Sequence, residues 1–307
     1  MSIVFGPVNS RRFGKSLGVD LSAEYKQCNF DCLYCELKAA KVVNKQESVV
    51  SVDEVIKEIK KALSKEPNID YLTITANGEP TLYPHLNELI DRINEFKGDI
   101  KTLILSNGST IANRDIQNIL TKFDSVKLSL DCATKRCFKR LDRPSSEIDL
   151  DKIKEGMLEF KKIYKGNLLI EILFVEGIND NLEEIKELNS FLLKLKPSRV
   201  DIGTVDRPPA YNIKPISYDK LFNLSLAFDK SLNIAIATKQ SSKAEKFDYS
   251  KEQIIDTLKR RPLTRDDIEI LFNKNSKKLL EELEKEGRVF TKKVAQVEFI
   301  KAKEWLI

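Results

Sequence analysis

The chain has 307 residues, with 52 basic and 47 acidic side chains and a net charge of +5. Apolar residues make up 41% and charged residues 32%, the profile of one large globular domain or a large domain plus a small one. No apolar stretch approaches the ~18–20 residues that span a bilayer, and the N-terminus lacks the basic-then-apolar order of a secretory signal, so no membrane association and a cytoplasmic location are expected.

From residue 16 to about 237, short apolar runs alternate with amphipathic stretches. Residues 16–21 read as a strand. A helix follows over 51–64, with Val52, Val55, Ile56, Ile59 and Leu63 on one stripe and Ser51 as its cap. The pattern continues as strand 70–75, helix 83–96, strand 101–106, a helix around 113–121 and strand 125–131. Then come helix 149–164, strand 168–175, helix 181–195, strand 199–205 and a helix across 217–230. About six βα units in series predict a parallel sheet, curled into a partial (βα)6 barrel of the TIM type or doubly wound. Thr73 and Thr75, and likewise Lys127, Ser129 and Asp131, lie two apart and so share a strand face. That face is expected to line a wet cavity. Glu171 sits among apolar neighbours, either reaching into that cavity or forming half of a buried ion pair.

Residues 239–249 are polar and Ser/Lys-rich, a linker. Beyond them the rhythm predicts helices over 250–261, 264–272 and 273–287, then a two-stranded ribbon over 288–302. Three helices and a hairpin describe a winged-helix domain. The expected division is therefore 1–238, 239–249 and 250–307.

The densest chemistry lies in "QCNFDCLYCEL" (27–37), where Cys28, Cys32 and Cys35 are spaced C-x3-C-x2-C. Thiolates suit zinc or iron–sulfur centres. Three of them can hold three irons of a [4Fe–4S] cluster and leave the fourth position for an exogenous ligand. The other reading is a Cys3His zinc site completed by His85, the single histidine. Cys132 and Cys137 are too few for a second cluster and are expected to be buried structural thiols.

The cysteine spacing, with Tyr34 before the last thiol and the loop after the first strand, resembles the radical S-adenosylmethionine superfamily. Three further segments support the resemblance. "TANGEPTLYPHL" (75–86) looks like the family's second-strand motif, so Asn77, Gly78, Glu79 and Pro80 are implied at the methionine end of the cofactor, with Glu79 accepting from the ammonium. "LSNGS" (105–109) implies Ser106 and Asn107, and "KLSLD" (127–131) implies Ser129 and Asp131 at the ribose and carboxylate. Glu171 is implied as a further lumen contact, and adenine is implied near 172–177 and 203–205. The resemblance implies a [4Fe–4S] cluster on Cys28, Cys32 and Cys35 that takes an electron from a donor such as flavodoxin or ferredoxin. S-adenosylmethionine is then cleaved, and the 5′-deoxyadenosyl radical abstracts a hydrogen from substrate.

"GPVNSRRFGKSLGVDL" (6–21), "LDRP" (141–144), "VEGIND" (175–180) and "TVDRPPA" (204–210) resemble a compact subgroup related to the wyosine-biosynthesis enzyme of transfer RNA. The match departs from that enzyme at Glu36-Leu37, where it carries Trp-Arg. An RNA base is the leading substrate class, with a peptide, protein or small metabolite as alternatives. Arg11, Arg12, Lys15, Lys139, Arg140 and Arg143 near the cavity mouth are the phosphate contacts this implies. Lys259, Arg260, Arg261, Lys274, Lys277, Lys278, Lys292 and Lys293 extend them onto the tail. A monomer is expected. A non-catalytic binding module, combining a zinc knuckle with a winged helix, is the reading from a different class.

Overall fold

A computed structural model describes residues 3–10, 13–22, 24–66, 68–236, 246, 248–260, 262–294 and 297–303. An eight-stranded sheet runs in strict sequence order. Its strands are β1 (Val4–Ser10), β2 (Gly14–Asp20), β3 (Tyr71–Thr75), β4 (Lys101–Ser106), β5 (Ser125–Ser129), β6 (Asn167–Phe174), β7 (Arg199–Thr204) and β8 (Ile234–Ile236). Every pair from β2 to β8 is parallel, and only β1 is antiparallel to its neighbour. Spatial order equal to chain order means that each crossover advances the sheet by one strand. That is the rule of a barrel wall, and the doubly wound alternative, which reverses direction, is set aside. Among the described residues no pairing joins β1 to β8, so the wall is open.

The crossovers carry α1 (Val52–Lys65), α2 (Leu86–Phe96), α3 (Arg114–Leu120), α4 (Lys135–Leu141), α5 (Leu150–Ile163), α6 (Leu182–Leu195) and α7 (Tyr218–Leu226). Sequence chemistry fixes their starts. Ser51 caps α1 by accepting from Glu54 N at 3.3 Å, and Asn181 caps α6 by accepting from Glu184 N at 3.1 Å. Helix α1 buries Val52, Val55, Ile56 and Ile59 against the sheet. On β6, Leu168, Ile170, Ile172 and Phe174 are wholly buried towards the helices, whereas Glu171 and Leu173 face the other way and are partly exposed.

The inner face is polar, as its two-residue periodicity predicts. Ser16 and Thr73 hydroxyls meet at 2.6 Å, and the Arg199 guanidinium donates to Asp201 at 2.8 Å. Lys127 is ion-paired with both Glu171 and Asp201. Of the two readings of Glu171, the ion pair is present, but its side chain is 42% exposed rather than buried.

Strands β1 and β8 and helix α4 are additions to the predicted set. Gly6 and Pro7 in β1 disguise it, and proline is tolerated there because β1 is an edge strand. The helix expected over 83–96 begins at Leu86, since Pro80–Leu82 forms a separate 3-10 turn.

Past the expected linker, of which 239–245 and 247 lie outside the described residues, the tail has its own apolar cluster, including Tyr249, Ile254, Leu258, Phe272, Leu283 and Ile300. It contains α8 (Lys251–Arg260), β9 (Leu263–Thr264), α9 (Arg265–Leu271), α10 (Lys274–Lys285), β10 (Val289–Val294) and β11 (Val297–Ala302). The expected two-stranded ribbon is a three-stranded sheet, because the two residues of β9 pair with β11 before Thr264 and Asp267 form a capping box for α9. The Tyr249 hydroxyl donates to the Pro7 carbonyl and ties the tail to β1.

Candidate active site

The cysteine loop leaves β2 at Asp20 and is bolted to the turn after β3. Asp20 Oδ1 accepts from Ser22 N and Asn77 N, both at 2.9 Å. Gln27 N donates to Asn77 O at 2.8 Å, and Glu79 N donates to Gln27 O at 3.0 Å. The buried Gln27 amide also organises the far side of the loop, donating to Ser22 and Ser48 and accepting from Glu47 N and Ser48 N. Gly78 lies between these strands of chain with φ +145°, a conformation that favours glycine. The close approach that requires it is to Gln27, a neighbour within the chain.

Along its other edge the loop pairs with the segment after α4. Leu33 N donates to Leu141 O at 2.9 Å, and Ser145 N to Asn29 O at 2.8 Å. Two such edges hold Cys28, Cys32 and Cys35 on a short, fixed backbone. Cys28 is buried and the other two are half-buried. Burial, followed by the Glu79 carboxylate, pushes the Cys28 thiol up to about 12. Burial and then Asp142 push Cys32 up as well, while in Cys35 burial outweighs the lowering by Lys26. Thiolates here therefore need a cation to form. Lys26 supplies part of one. Its side chain is 6% exposed and is ion-paired with Asp31 Oδ1 at 3.5 Å.

Glu79, Ser106 and Asn107 meet as the motifs imply. The Glu79 carboxylate is fully buried and accepts from Thr81 N at 3.0 Å, Thr81 Oγ1 at 2.7 Å, Ser106 Oγ at 2.8 Å and Asn107 N at 2.7 Å. Three of these donors converge on Oε1 and one on Oε2, so Glu79 ties the β3 turn to the β4 turn. Pro80 opens the 3-10 turn that presents Thr81. The Asn107 amide donates to Asn29 Oδ1 at 2.9 Å and reaches Cys28 Sγ at 3.6 Å.

On the opposite side the Tyr34 hydroxyl donates to Asp131 Oδ2, and Leu173 N donates to Asp131 Oδ1 at 2.6 Å. Asp131 shares a buried pocket with Asp142, which accepts from Cys32 Sγ at 3.8 Å. Burial dominates both carboxyls: Asp131 is pushed up to about 7, and Asp142 well above the ordinary range by burial and by Asp131. Asp131 thus disfavours ionisation of Asp142. Ser129 and Asp131 line a small cavity with Phe30, Tyr34, Asn107 and Asp142. Glu171 lies beside Ser129 in register on the next strand.

Cys132 and Cys137, expected as separate thiols, are joined by a disulfide at the base of α4. The neighbouring Glu184 carboxylate accepts from Ala133 N at 2.8 Å and from Thr134. Lys139 and Arg143, with Lys135, line an open pocket of about 450 Å³ beside the cysteine loop, whereas Arg140 donates to Gly177 O at 3.2 Å. Arg11, Arg12 and Arg261 lie outside the described residues. Sequence reasoning passed over Lys26, Gln27, Asn29 and Asp142. The signal for Lys26 was its place two residues before the first thiol; Asp142 is brought in only by tertiary folding.

The donor set fits an iron–sulfur cubane. One tetrahedral ion draws its sulfurs to within about 4 Å of one another, given Zn–S near ~2.3 Å. Among the described residues the three thiols do not gather within 4.8 Å, and His85 joins no such group. His85 instead stands exposed at the start of α2, edge-on to Tyr83. Three thiolates can instead each hold one iron corner of such a cluster.

A family model described as the Radical SAM superfamily matches residues 25–191. A UPF0026 protein of Helicobacter pylori strain J99 is 44% identical over 301 residues, covering 97% of each chain. A radical SAM methyltransferase from Sphaerobacter thermophilus shares the fold at TM-score 0.57 and 13% identity, over 72% of this chain and 66% of that one. SuiB of Streptococcus suis, solved with S-adenosylmethionine, shares it at TM-score 0.55 and 20% identity, over 73% and 47%.

Proposed function

The chain belongs to the radical SAM superfamily and is an enzyme, and from that premise we propose that Cys28, Cys32 and Cys35 hold three irons of a [4Fe–4S] cluster whose fourth iron takes S-adenosylmethionine. When bound, that pair supplies a one-electron cleavage that yields a hydrogen-abstracting 5′-deoxyadenosyl radical. The observation that carries this reading is three free thiols on one loop that is hydrogen-bonded along one edge to the turn after β3 and along the other to the segment after α4.

The chain's own residues then divide the work. Gln27, Gly78 and Glu79 hold the loop against the β3 turn. Asn107 orients Cys28 and closes the site beside Asn29. Tyr34 and Asp131, with Ser129, form the wall at which ribose and carboxylate groups of the cofactor are received. Asp142 lines the same cavity, its ionisation disfavoured by Asp131. The Lys127–Glu171–Asp201 group forms a polar floor. Packed helices exclude water from the sheet's outer side.

For the substrate we infer an RNA base, in the manner of the wyosine-related subgroup. The support is the open pocket lined by Lys135, Lys139 and Arg143 beside the site, and the tail's helices and hairpin, read as a winged helix on residues 250–307. Anaerobic incubation with total cellular RNA, S-adenosylmethionine and dithionite, followed by nucleoside mass spectrometry, tests it. A new or depleted nucleoside is expected; an unchanged profile alongside 5′-deoxyadenosine release rejects RNA while leaving the radical chemistry standing.

A further inference from the structure

We propose that the open pocket between α4 and α5 binds one nucleotide, ring and phosphate together, and that this is not the nucleotide whose hydrogen is abstracted. Its assignment to an RNA chain rests on the RNA reading above. The pocket encloses about 450 Å³, the size of a small-molecule site. Its lining divides into two chemistries. Phe138 and Leu150 are buried, and with Pro144 and Ile148 they form an apolar patch on which a flat ring can lie. Lys135, Lys139 and Arg143 are exposed beside the Ser145 and Ser146 hydroxyls, the donor types that phosphate takes.

The three cations are not equal. Lys135 is committed to Asp149 at 3.1 Å and to Asp151 at 2.7 Å. Asp149, the carboxylate in the same lining, is spent on Lys135 and on the first backbone N–H groups of α5. Arg143 is pinned by Nη2 on Asp31 at 3.1 Å and lies over the Tyr211 ring at 4.7 Å. A guanidinium has five donors, so this anchoring leaves some for a ligand. Lys139 pairs with no carboxylate among the described residues. The chain also holds Arg143 at φ +48° directly before Pro144, an uncommon conformation for a residue with a side chain, and such strain gathers at ligand clamps.

Phe138 and Leu150 also line the small cavity that holds Tyr34, Ser129 and Asp131. The two cavities therefore share a wall, which Phe30 thickens by packing edge-on against Phe138 at 5.4 Å. A ring in the open pocket is screened by that wall, so it is recognised without reacting. The pocket is tied to the cysteine loop by Ser145 N on Asn29 O and by Arg143 on Asp31, which fixes its offset from the thiols. Neighbouring nucleotides on two sides of a wall cannot stay stacked, so the site selects unpaired RNA. A free mononucleotide offers the same chemistry, and the two sources are separable.

The test is equilibrium dialysis of the full, anaerobically purified chain against the four nucleoside 5′-monophosphates, their nucleosides and inorganic phosphate, with single-stranded RNA as competitor. A monophosphate is expected to bind about tenfold or more tighter than its nucleoside or phosphate alone, and RNA to displace it. Lys139→Glu and Ser146→Glu, both at exposed positions, are each expected to weaken it by about tenfold or more. Binding that RNA does not displace supports the pocket and assigns it to a free mononucleotide. No binding of any monophosphate, or binding that both variants leave unchanged, overturns the proposal. The monophosphate is expected back unaltered after incubation with S-adenosylmethionine and dithionite; a modified one overturns its placement outside the reaction. A cellular RNA profile unchanged by the enzyme, alongside intact monophosphate binding, defeats the RNA reading alone.

Discussion

A methyl group on Gly78 would lie 1.8 Å from the Gln27 carbonyl oxygen and 2.4 Å from its carbon. This crossing of backbones joins the cysteine loop to the sheet. Gly78→Ala must both push the chains apart and adopt φ +145°. It is expected to cost upwards of about 2 kcal/mol and to lower the iron bound per chain. Urea unfolding and iron assay check this; a wild-type midpoint would mean the loop is held elsewhere.

Glu79→Gln offers an amide NH2 where four donors converge. Hydrogen bonds to a buried charge are lost and donors are left facing a donor, for an expected cost of roughly 2–4 kcal/mol. Thr81→Val, which removes one hydroxyl donor, is expected to cost about 1 kcal/mol. Equal losses in the two variants would show that the carboxylate is not the knot between the β3 and β4 turns.

Lys127→Met removes one of the cations on the fully buried Asp201 and is expected to destabilise by about 3–5 kcal/mol. Arg199 remains on Asp201 and holds the loss towards the lower end. Glu171→Gln should cost under about 1 kcal/mol, because that partner is 42% exposed and screened. Thermal unfolding of both variants gives the comparison, and a larger loss in Glu171→Gln would contradict the assignment.

The Asp131–Asp142 pair sets a pH trend in the iron-free protein. With Asp131 at about 7 when folded against 3.8 ordinarily, the folded chain binds more protons than the unfolded one across that interval. Stability is therefore fully present below the unfolded value and lost as pH rises through the folded one. Unfolding free energy should fall from pH 4 to 7, and Asp142→Asn should flatten the slope. A rise over the same range would contradict the upward shift of these carboxyls.

Much of the barrel was legible in the sequence because its strands and helices differ in period. β4 runs over Lys101–Ser106 as read, and α6 is one residue shorter than predicted at its start. β1 and β8 were not legible: one contains Gly6 and Pro7, and the other has three residues and no periodicity to display. α4 hides behind a basic run whose apolar members, Cys137, Phe138 and Leu141, span only one turn. The motif residues fall together as the resemblance implied, since each follows a strand at the same end of the sheet. What sequence could not supply is partnership. That Glu79 bridges the β3 and β4 turns, that Asp142 joins Asp131, and that Cys132 meets Cys137 depend on contacts set by the fold.

On the tail, Lys277 is ion-paired with Glu269, so its charge is partly spent. If the tail clamps RNA, the double variant Lys277→Glu, Lys278→Glu should weaken binding and reduce the salt slope by about 1–2. Filter binding at several salt concentrations measures this. An unchanged slope would move the RNA contacts away from α10.

The central claim is tested most directly by Mössbauer spectroscopy of the anaerobically purified chain with and without S-adenosylmethionine, paired with assay of 5′-deoxyadenosine after dithionite. The account predicts a cubane of about four irons, one of which changes its signature when the sulfonium compound binds, with product formed by the native chain and none by Cys32→Ala. A cubane insensitive to the added compound, a colourless zinc protein, or undiminished product from Cys32→Ala would contradict it.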